Sequence, residues 1–183
     1  KVDALFKKAV EAMKENGAEI IEEVKFKNRR KWGGPSYQVL LYEFKADLNK
    51  YLQEHPNAPV RSMKEIIEFN KNNADMEMPW FDQEIFEQAQ EKGDLSTEEY
   101  LTALKESKQF AGKEGIDAAM EEHNLDAVIA QTNGPAWTID WVNGAHFSGG
   151  SSSPAAISGY PNVTVPMGFV HGLPVGISFF GKA

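Results

Sequence analysis

Cysteine is absent from all 183 positions of this sequence. Its absence excludes disulfide bonds, thiolate metal sites and a cysteine nucleophile. Long apolar runs are also missing, because no stretch approaches the roughly 20 residues that a membrane-spanning helix needs. No signal peptide is visible. The sequence therefore predicts a protein without a membrane partner, and we expect a cytoplasmic location.

Positively charged residues are fewer than negatively charged ones. The 19 lysines and arginines face 27 aspartates and glutamates, which leaves a formal net charge of −8. This balance argues against nucleic acid and anionic membranes as partners. One local exception is the basic, aromatic stretch from Lys25 to Trp32. Its composition fits either phosphate contact or a solvated turn after a strand, and we interpret it as a solvated turn.

Histidine is scarce, with four in the chain and no H-x-H or H-E-x-x-H pairing among them. A histidine-based metal site normally needs such spacing, so no metal site is predicted. The Gly/Ser-rich stretch from Ser148 to Ser153 lacks the lysine and the spacing of a phosphate-binding P-loop. We therefore expect no cofactor.

Hydrophobic periodicity divides the chain into three parts. Residues 1–32 are predicted to form a helix–strand unit, in which Asn16-Gly17 ends the helix and Ala18 to Phe26 is the strand. Residues 33–124 are predicted to be a mostly helical, variable region, closed by a long helix over 97–123. Two capping boxes, Ser62 with Glu65 and Ser96 with Glu99, mark helix starts there.

Residues 125–183 carry three short apolar runs bounded by Gly and Pro, at 127–130, 163–166 and 175–180. Runs of this length are typical of strands buried on both faces of a sheet. Together with the helical patterns they predict the α/β class, with a mixed central sheet covered by helices. The Gly/Ser-rich loop lies between these strands, where backbone amides converge and binding sites are often built.

The residues in this part of the chain suggest two kinds of site. Three serines follow Gly149-Gly150, with His146 and His171 nearby in sequence, but no G-x-S-x-G elbow lies between a strand and a helix. The second kind is a pocket built on the loop after the first strand, since ligands settle at such loops in open α/β sheets. A packed surface loop fits the same residues equally well. The candidate substrate-binding residues are Asn133, Trp137, Asp140, Asn143 and Phe147.

Three motifs resemble those of the amidase-signature family. They are the strand motif at 126–132, an Asp followed by apolar residues; the Gly-Tyr-Pro…Val-Pro-x-Gly segment at 156–168; and the Gly-Leu-Pro-Val-Gly strand at 172–181. Their order and distances also fit the family. Two positions depart from its pattern, with Gln131 where proline is usual and Ser178 where glutamine is common.

The resemblance implies amide hydrolysis by a lysine and two serines that lie in the N-terminal half of the family fold. No position of this chain matches that triad, and no suitable lysine precedes Ser148 to Ser153, so the triple serine is predicted to be non-catalytic and no catalytic residue is assigned. Both chain ends suggest a C-terminal fragment that supplies sheet core and substrate-channel wall, and that is inactive alone.

The expected partner of the full enzyme is a small-molecule amide. Two alternatives stay open. One is a stand-alone binding module that self-associates through an unpaired sheet edge. The other is an amidotransferase-type subunit that acts on aminoacyl-tRNA, against which the acidic balance argues.

Overall fold

A computed structural model describes residues 1–183, which divide into two compact units. One unit comprises Lys1–Trp32 and Ser107–Ala183, and the other comprises Gly33–Glu106. The helices and strands are α1 Val2–Glu15, α2 Gly33–Glu54, α3 Met63–Asn72, α4 Ala74–Glu77, α5 Glu84–Gln90, α6 Glu98–Lys108, a π-helix Gln109–Asp117, α7 Ala118–His123, β1 Val128–Gln131, α8 Ser153–Ser158, β2 Asn162–Val170 and β3 Leu173–Phe180. No helix combines the length and apolar character that crossing a bilayer requires.

The sheet of the first unit has three antiparallel strands in the order β1-β3-β2. β2 and β3 form a hairpin whose turn residues, His171 and Gly172, both have positive φ. This backbone twist matches that of the flanking strands. The α/β class and the three predicted strands are confirmed. The predicted burial on both faces is not confirmed, because Val163, Val165 and Phe169 of β2 are exposed.

The strand predicted over Ala18–Phe26 does not form. α1 ends at Glu15, and the segment after Gly17 pairs with no strand of the sheet. A strand is defined by its ladder of hydrogen bonds to a neighbour, and β1, β2 and β3 pair only with one another. Glu23 also has a positive φ of 59°, which interrupts an extended run. The segment instead ends by packing Phe26 against the core.

The helix predicted over 97–123 is confirmed in outline, with a π-helical middle. Both of its glycines are buried there. A Cβ on Gly112 would lie 3.1 Å from Ser158 Cβ, and one on Gly115 would lie 3.5 Å from the Trp32 ring. The glycines therefore allow close approach of neighbouring segments. π-Helical turns are rare in proteins, and those that occur are often at functional sites.

The core of the first unit joins helices to the sheet. It contains the buried residues Ile116, Met120, Ala155 and Phe180, with Phe26, Leu125, Val128, Ala130 and Tyr160 packed around them. Burial of such side chains is the main source of folding free energy. This core holds β1 and α8, the elements that precede and follow the Gly/Ser-rich loop, against β3.

The second unit is helical and packs around Leu41, Met63, Ile67 and Ala89. Its first predicted capping box is confirmed in part. Ser62 Oγ accepts a hydrogen bond from the Glu65 amide at 3.2 Å. The Glu65 carboxylate, however, accepts from the Arg61 amide rather than from that of Ser62. α3 therefore begins directly after Ser62, as the sequence predicts.

The second predicted box is wrong. The amide and hydroxyl of Ser96 both donate to Asp94. Glu99 instead accepts from Tyr42 and Lys92 within the same unit, at 2.7 and 3.2 Å. Hydrogen bonds from Tyr42, which is distant in sequence, and from Lys92 therefore take the place of the predicted capping bond between Glu99 and Ser96.

Candidate functional site

A long surface loop over residues 133–150 is held closed at its base. Asn133 and Gly150 form an isolated antiparallel bridge, and the Ser151 amide donates to the Thr132 carbonyl at 3.2 Å. Gly134 lies so close to Ser148 that a Cβ there would come 2.1 Å from its hydroxyl oxygen. The loop thus leaves and rejoins the sheet at one place, as Ω-loops do. We call this base the loop neck, residues 132–134 and 148–151.

A chain of three hydroxyls ties the loop neck to the sheet. Ser178 Oγ, on β3, lies 2.8 Å from Thr132 Oγ1 and 2.9 Å from Thr164 Oγ1 of β2. The Ser178 side chain is only 1% exposed. A buried hydroxyl costs free energy unless it is hydrogen-bonded. Ser178, which departs from the family motif, is therefore the centre of a buried polar network.

The part of the loop beyond the neck, residues 135–147, which we call the outer loop, is organised by two contacts. Trp137 and Phe147 pack edge to face, with ring centroids 5.8 Å apart. Asp140 Oδ1 accepts from the amides of Val142 and Asn143, both at 2.9 Å, and Oδ2 accepts from the Asn143 side chain at 3.0 Å. The four outer candidate residues thus form two pairs, one aromatic and one polar.

Asp140 has a lowered pKa. The largest cause is the hydrogen bond from the Asn143 amide, followed by those from the Asn143 side chain and the Val142 amide. A carboxylate stabilised in the folded state supports the turn at any pH above its ordinary pKa. The support is lost only as the pH falls through the lowered value. The carboxylate is engaged in the turn, and its charge is fixed at neutral pH.

A groove of about 910 Å³ lies beside the loop neck in the first unit. Its lining is mixed: it includes the apolar residues Phe26, Trp32, Val128 and Phe180 and the charged residues Lys1, Asp3, Lys25 and Arg29. Of the five predicted substrate-binding residues, Asn133 alone lines it. The other four lie in the outer loop. The basic stretch forms a turn over residues 27–31, as interpreted from sequence, although two of its cations reach the groove.

The serine stretch contains one hydroxyl in an unusual position. Ser151 Oγ is buried at the groove and has no hydrogen-bond partner. A serine nucleophile needs an adjacent base. His171, however, contacts Lys1 Nζ at 2.7 Å, and His146 is exposed in the outer loop. That the triple serine is non-catalytic stays a prediction, which this arrangement supports.

The histidines serve local roles. His123 is the last residue of α7, where the helix dipole favours a cation. His55 stacks against Tyr51. No group of three or more His, Asp or Glu side chains gathers in a metal-binding arrangement.

Sequence reasoning did not identify the residues that attach the loop. No sequence pattern marks Thr132, Thr164 or Gly176 as a site residue, and Ser178 differs from its surroundings only as a departure from a family pattern. The sequence feature that could have indicated them is the pair Gly176-x-Ser178 in β3, together with Thr164 in β2 and Thr132 next to β1. Strand register, which sequence does not state, is what brings these residues together.

Comparison with known proteins places the whole chain in one family. The family described as Amidase matches residues 1–183. A probable amidase from Arabidopsis thaliana is 35% identical over 145 residues, which are 78% of this chain and 25% of that protein. A putative amidase from Schizosaccharomyces pombe is 28% identical over 159 residues, 80% of this chain and 26% of that protein.

Solved structures show the same relationship. A peptide amidase in complex with the competitive inhibitor chymostatin matches with a TM-score of 0.90 and 40% identity, over 99% of this chain and 37% of that chain. The native peptide amidase from Stenotrophomonas maltophilia matches with a TM-score of 0.86 and 39% identity, over 99% and 36% of the two chains. The chain therefore spans about a quarter of the curated relatives and somewhat over a third of these structures.

Proposed function

Because the chain belongs to the amidase family, a family of amide-hydrolysing enzymes, we propose that the full-length protein hydrolyses a carboxamide C–N bond by serine acyl transfer. These residues supply sheet core and one wall of the substrate channel. The observation that carries the proposal is the family match over residues 1–183, together with a loop of aromatic residues anchored beside a groove.

The proposed reaction has two acyl-transfer steps. A serine oxygen attacks the amide carbonyl, its proton passes through a second serine and a neutral lysine to the leaving nitrogen, and the C–N bond breaks. Water then attacks the acyl-enzyme and releases the carboxylic acid. Backbone amides stabilise the oxyanion in both steps. No residue of this chain is assigned to these roles, since none matches the family's triad.

The substrate proposal rests on the relatives at about 40% identity, which are peptide amidases. They favour an amide carried by a peptide or a similar molecule. The outer loop offers apolar and aromatic surface and contains no lysine or arginine, which suits a neutral substrate group. We further propose that the mostly helical residues 33–124 act as the variable region that adjusts specificity.

The first experiment compares amide hydrolysis by the 183-residue chain and by the full-length protein. We expect turnover of a peptide amide by the full-length protein alone. Serine-to-alanine changes at Ser151, Ser152 and Ser153 in the full-length protein are expected to leave turnover measurable, because the triple serine is proposed to be non-catalytic and Ser151 Oγ has no hydrogen-bond partner. Activity of the short chain that disappears on any of these changes would show that the triple serine is the nucleophile after all.

Trp137 is proposed to contact the substrate. Replacing it by alanine in the full-length protein is expected to raise KM for an aromatic peptide amide by about tenfold, with kcat within about twofold, because one apolar contact is lost equally from ground and transition states. Steady-state kinetics measure both constants. Trp137→Phe is the matched control, since it retains a ring to pack against Phe147, and it should keep KM near the wild-type value.

A second candidate function is a binding module that self-associates. Both outer strands of the sheet, β1 and β2, are paired on one side only within these residues. Unpaired edges promote association. Light scattering on the 183-residue chain tests this candidate, and association without any turnover by the full-length protein would favour it over hydrolysis.

A further inference from the structure

We propose that Ser178 is a positioning residue for substrate selection, and that it acts by fixing the loop neck on the sheet. The inference rests on the proposed amidase function and deepens it. It assigns the outer loop to the recognition of a neutral, apolar group next to the scissile amide. Ser178 itself does not touch the substrate in this proposal; it acts through Thr132.

Strand register places Ser178 between its two partners. On β2 its direct cross-strand neighbour is Thr164, and on β1 it is Ala130. Thr132 lies two residues beyond Ala130, so its side chain points to the same face of the sheet. The Thr132 amide continues the ladder by donating to the Gly176 carbonyl at 2.9 Å. Thr132 is therefore the last residue of this segment that the sheet holds directly.

Gly176 makes room for the hydroxyl chain. A Cβ at this position would lie 2.9 Å from Thr132 Oγ1 and 2.8 Å from Thr164 Cγ2. Because the side chain opposite Thr132 is missing, its hydroxyl can lean diagonally toward Ser178. The two hydrogen bonds of 2.8 and 2.9 Å then link Thr132, just after β1, to β3 and β2 through one buried oxygen.

Thr132 transmits this placement to both ends of the loop. Its carbonyl accepts from the Ser151 amide, and the next residue, Asn133, bridges Gly150. Both segments of the loop neck are therefore held in place through Thr132. By contrast, the Trp137–Phe147 and Asp140–Asn143 contacts join parts of the loop to each other and do not attach it to the sheet. A shift at Thr132 would move the whole loop.

The chemistry of the outer loop indicates the ligand group. The loop contains no lysine or arginine between residues 133 and 150, and the Asp140 carboxylate is already bound by its own turn. Its exposed side chains are large and apolar: Trp137, Ile139, Trp141, Val142 and Phe147. Surfaces of this composition bind uncharged aromatic or aliphatic groups. The loop is therefore suited to an apolar residue beside the amide.

The kinetic test uses Ser178→Ala in the full-length protein with two probe substrates, N-acetyl-phenylalaninamide and N-acetyl-glycinamide. The change removes two buried hydrogen bonds, and loss of the one to Thr132 is expected to raise KM for the phenylalanine amide by about tenfold. KM for the glycine amide and both kcat values should stay within about twofold, since the reacting atoms are untouched. Equal changes for the two amides, or none, would overturn the proposal.

Ser158→Ala is the matched control. The Ser158 hydroxyl also lies in the first unit, but it donates only to carbonyls of α8, at 2.8 and 3.2 Å. Ser158→Ala removes the same group as Ser178→Ala, but this hydroxyl makes no hydrogen bond to the loop neck. We expect its two KM values to remain in the wild-type ratio, so that a general loss of stability can be told apart from a displaced loop.

Amide hydrogen exchange provides a readout that does not depend on activity. In Ser178→Ala, the amides of Thr132 and Ser151 are expected to exchange at least about tenfold faster, because local opening becomes easier. The amides of β2 that pair with β3 away from Thr164 should keep their protection. If the wild-type protein turned over neither amide, the proposed function would fail while exchange still tested the positioning role. Unchanged exchange at Ser151 would refute that role.

Discussion

Replacing Phe180 by alanine is expected to lower the free energy of unfolding by about 3–5 kcal/mol, the range for removing a buried phenylalanine. Phe180 is 4% exposed and belongs to the core that joins the helices to the sheet. Its ring packs against Phe26 with centroids 6.2 Å apart. Alanine would leave a cavity at the point where residues before β1 and the sheet meet.

Phe180 also lines the groove, as Phe26 does. The cavity left by alanine would therefore open into the proposed substrate wall. Urea denaturation of the protein measures the stability change, and the midpoint should fall while the slope stays constant.

Phe169→Ala is the matched control for this measurement. Phe169 lies on β2 in the same sheet but is 69% exposed. Its removal is expected to change stability by no more than about 0.5 kcal/mol, as at most exposed positions. Equal losses in both variants would mean that Phe180 is not a core residue.

Gly176→Ala is expected to destabilise the protein by about 1–3 kcal/mol, the usual cost of forcing an extra carbon into a packed interior. The new Cβ would lie 2.8 Å from Thr164 Cγ2, 2.9 Å from Thr132 Oγ1 and 3.2 Å from the Val165 carbonyl. The carbonyl belongs to the paired backbone, so it cannot move aside freely. The two threonines must shift, and the hydroxyl chain through Ser178 is strained or broken.

A second change identifies the cause of this loss. Thr164→Ser removes the methyl group nearest the new Cβ and retains the hydroxyl, so adding it to Gly176→Ala should restore about half of the stability. Gly34→Ala is the control, because a Cβ there meets nothing within 4 Å. It should be neutral or slightly stabilising, since alanine is favoured over glycine in a helix. Failure of Thr164→Ser to restore stability would show that the Thr164 methyl group is not the source of the loss. Thermal or urea denaturation of the four proteins provides the comparison.

Sequence patterns predicted those elements whose cause is local. Asn16-Gly17 ends α1, and Ser62 caps α3. The apolar runs at 127–130, 163–166 and 175–180 coincide with strands. The family resemblance rested on motifs at 126–132, 156–168 and 172–181, and the match over residues 1–183 confirms it. Each of these signals depends on the conformational preference of a few neighbouring residues.

Tertiary structure decided the features that depend on a distant partner. Ala18–Phe26 has the composition of a strand but finds no neighbour to pair with, and Ser96 loses its capping partner because Tyr42 and Lys92 engage Glu99. Of the candidate site, sequence identified the loop and its aromatic residues. It did not reveal the neck or Ser178, because the hydrogen bonds joining Thr132, Thr164 and Ser178 exist only once strand register has brought separate segments within 3 Å. Local propensity acts within a few residues, whereas a buried polar network depends on which segments the fold brings together.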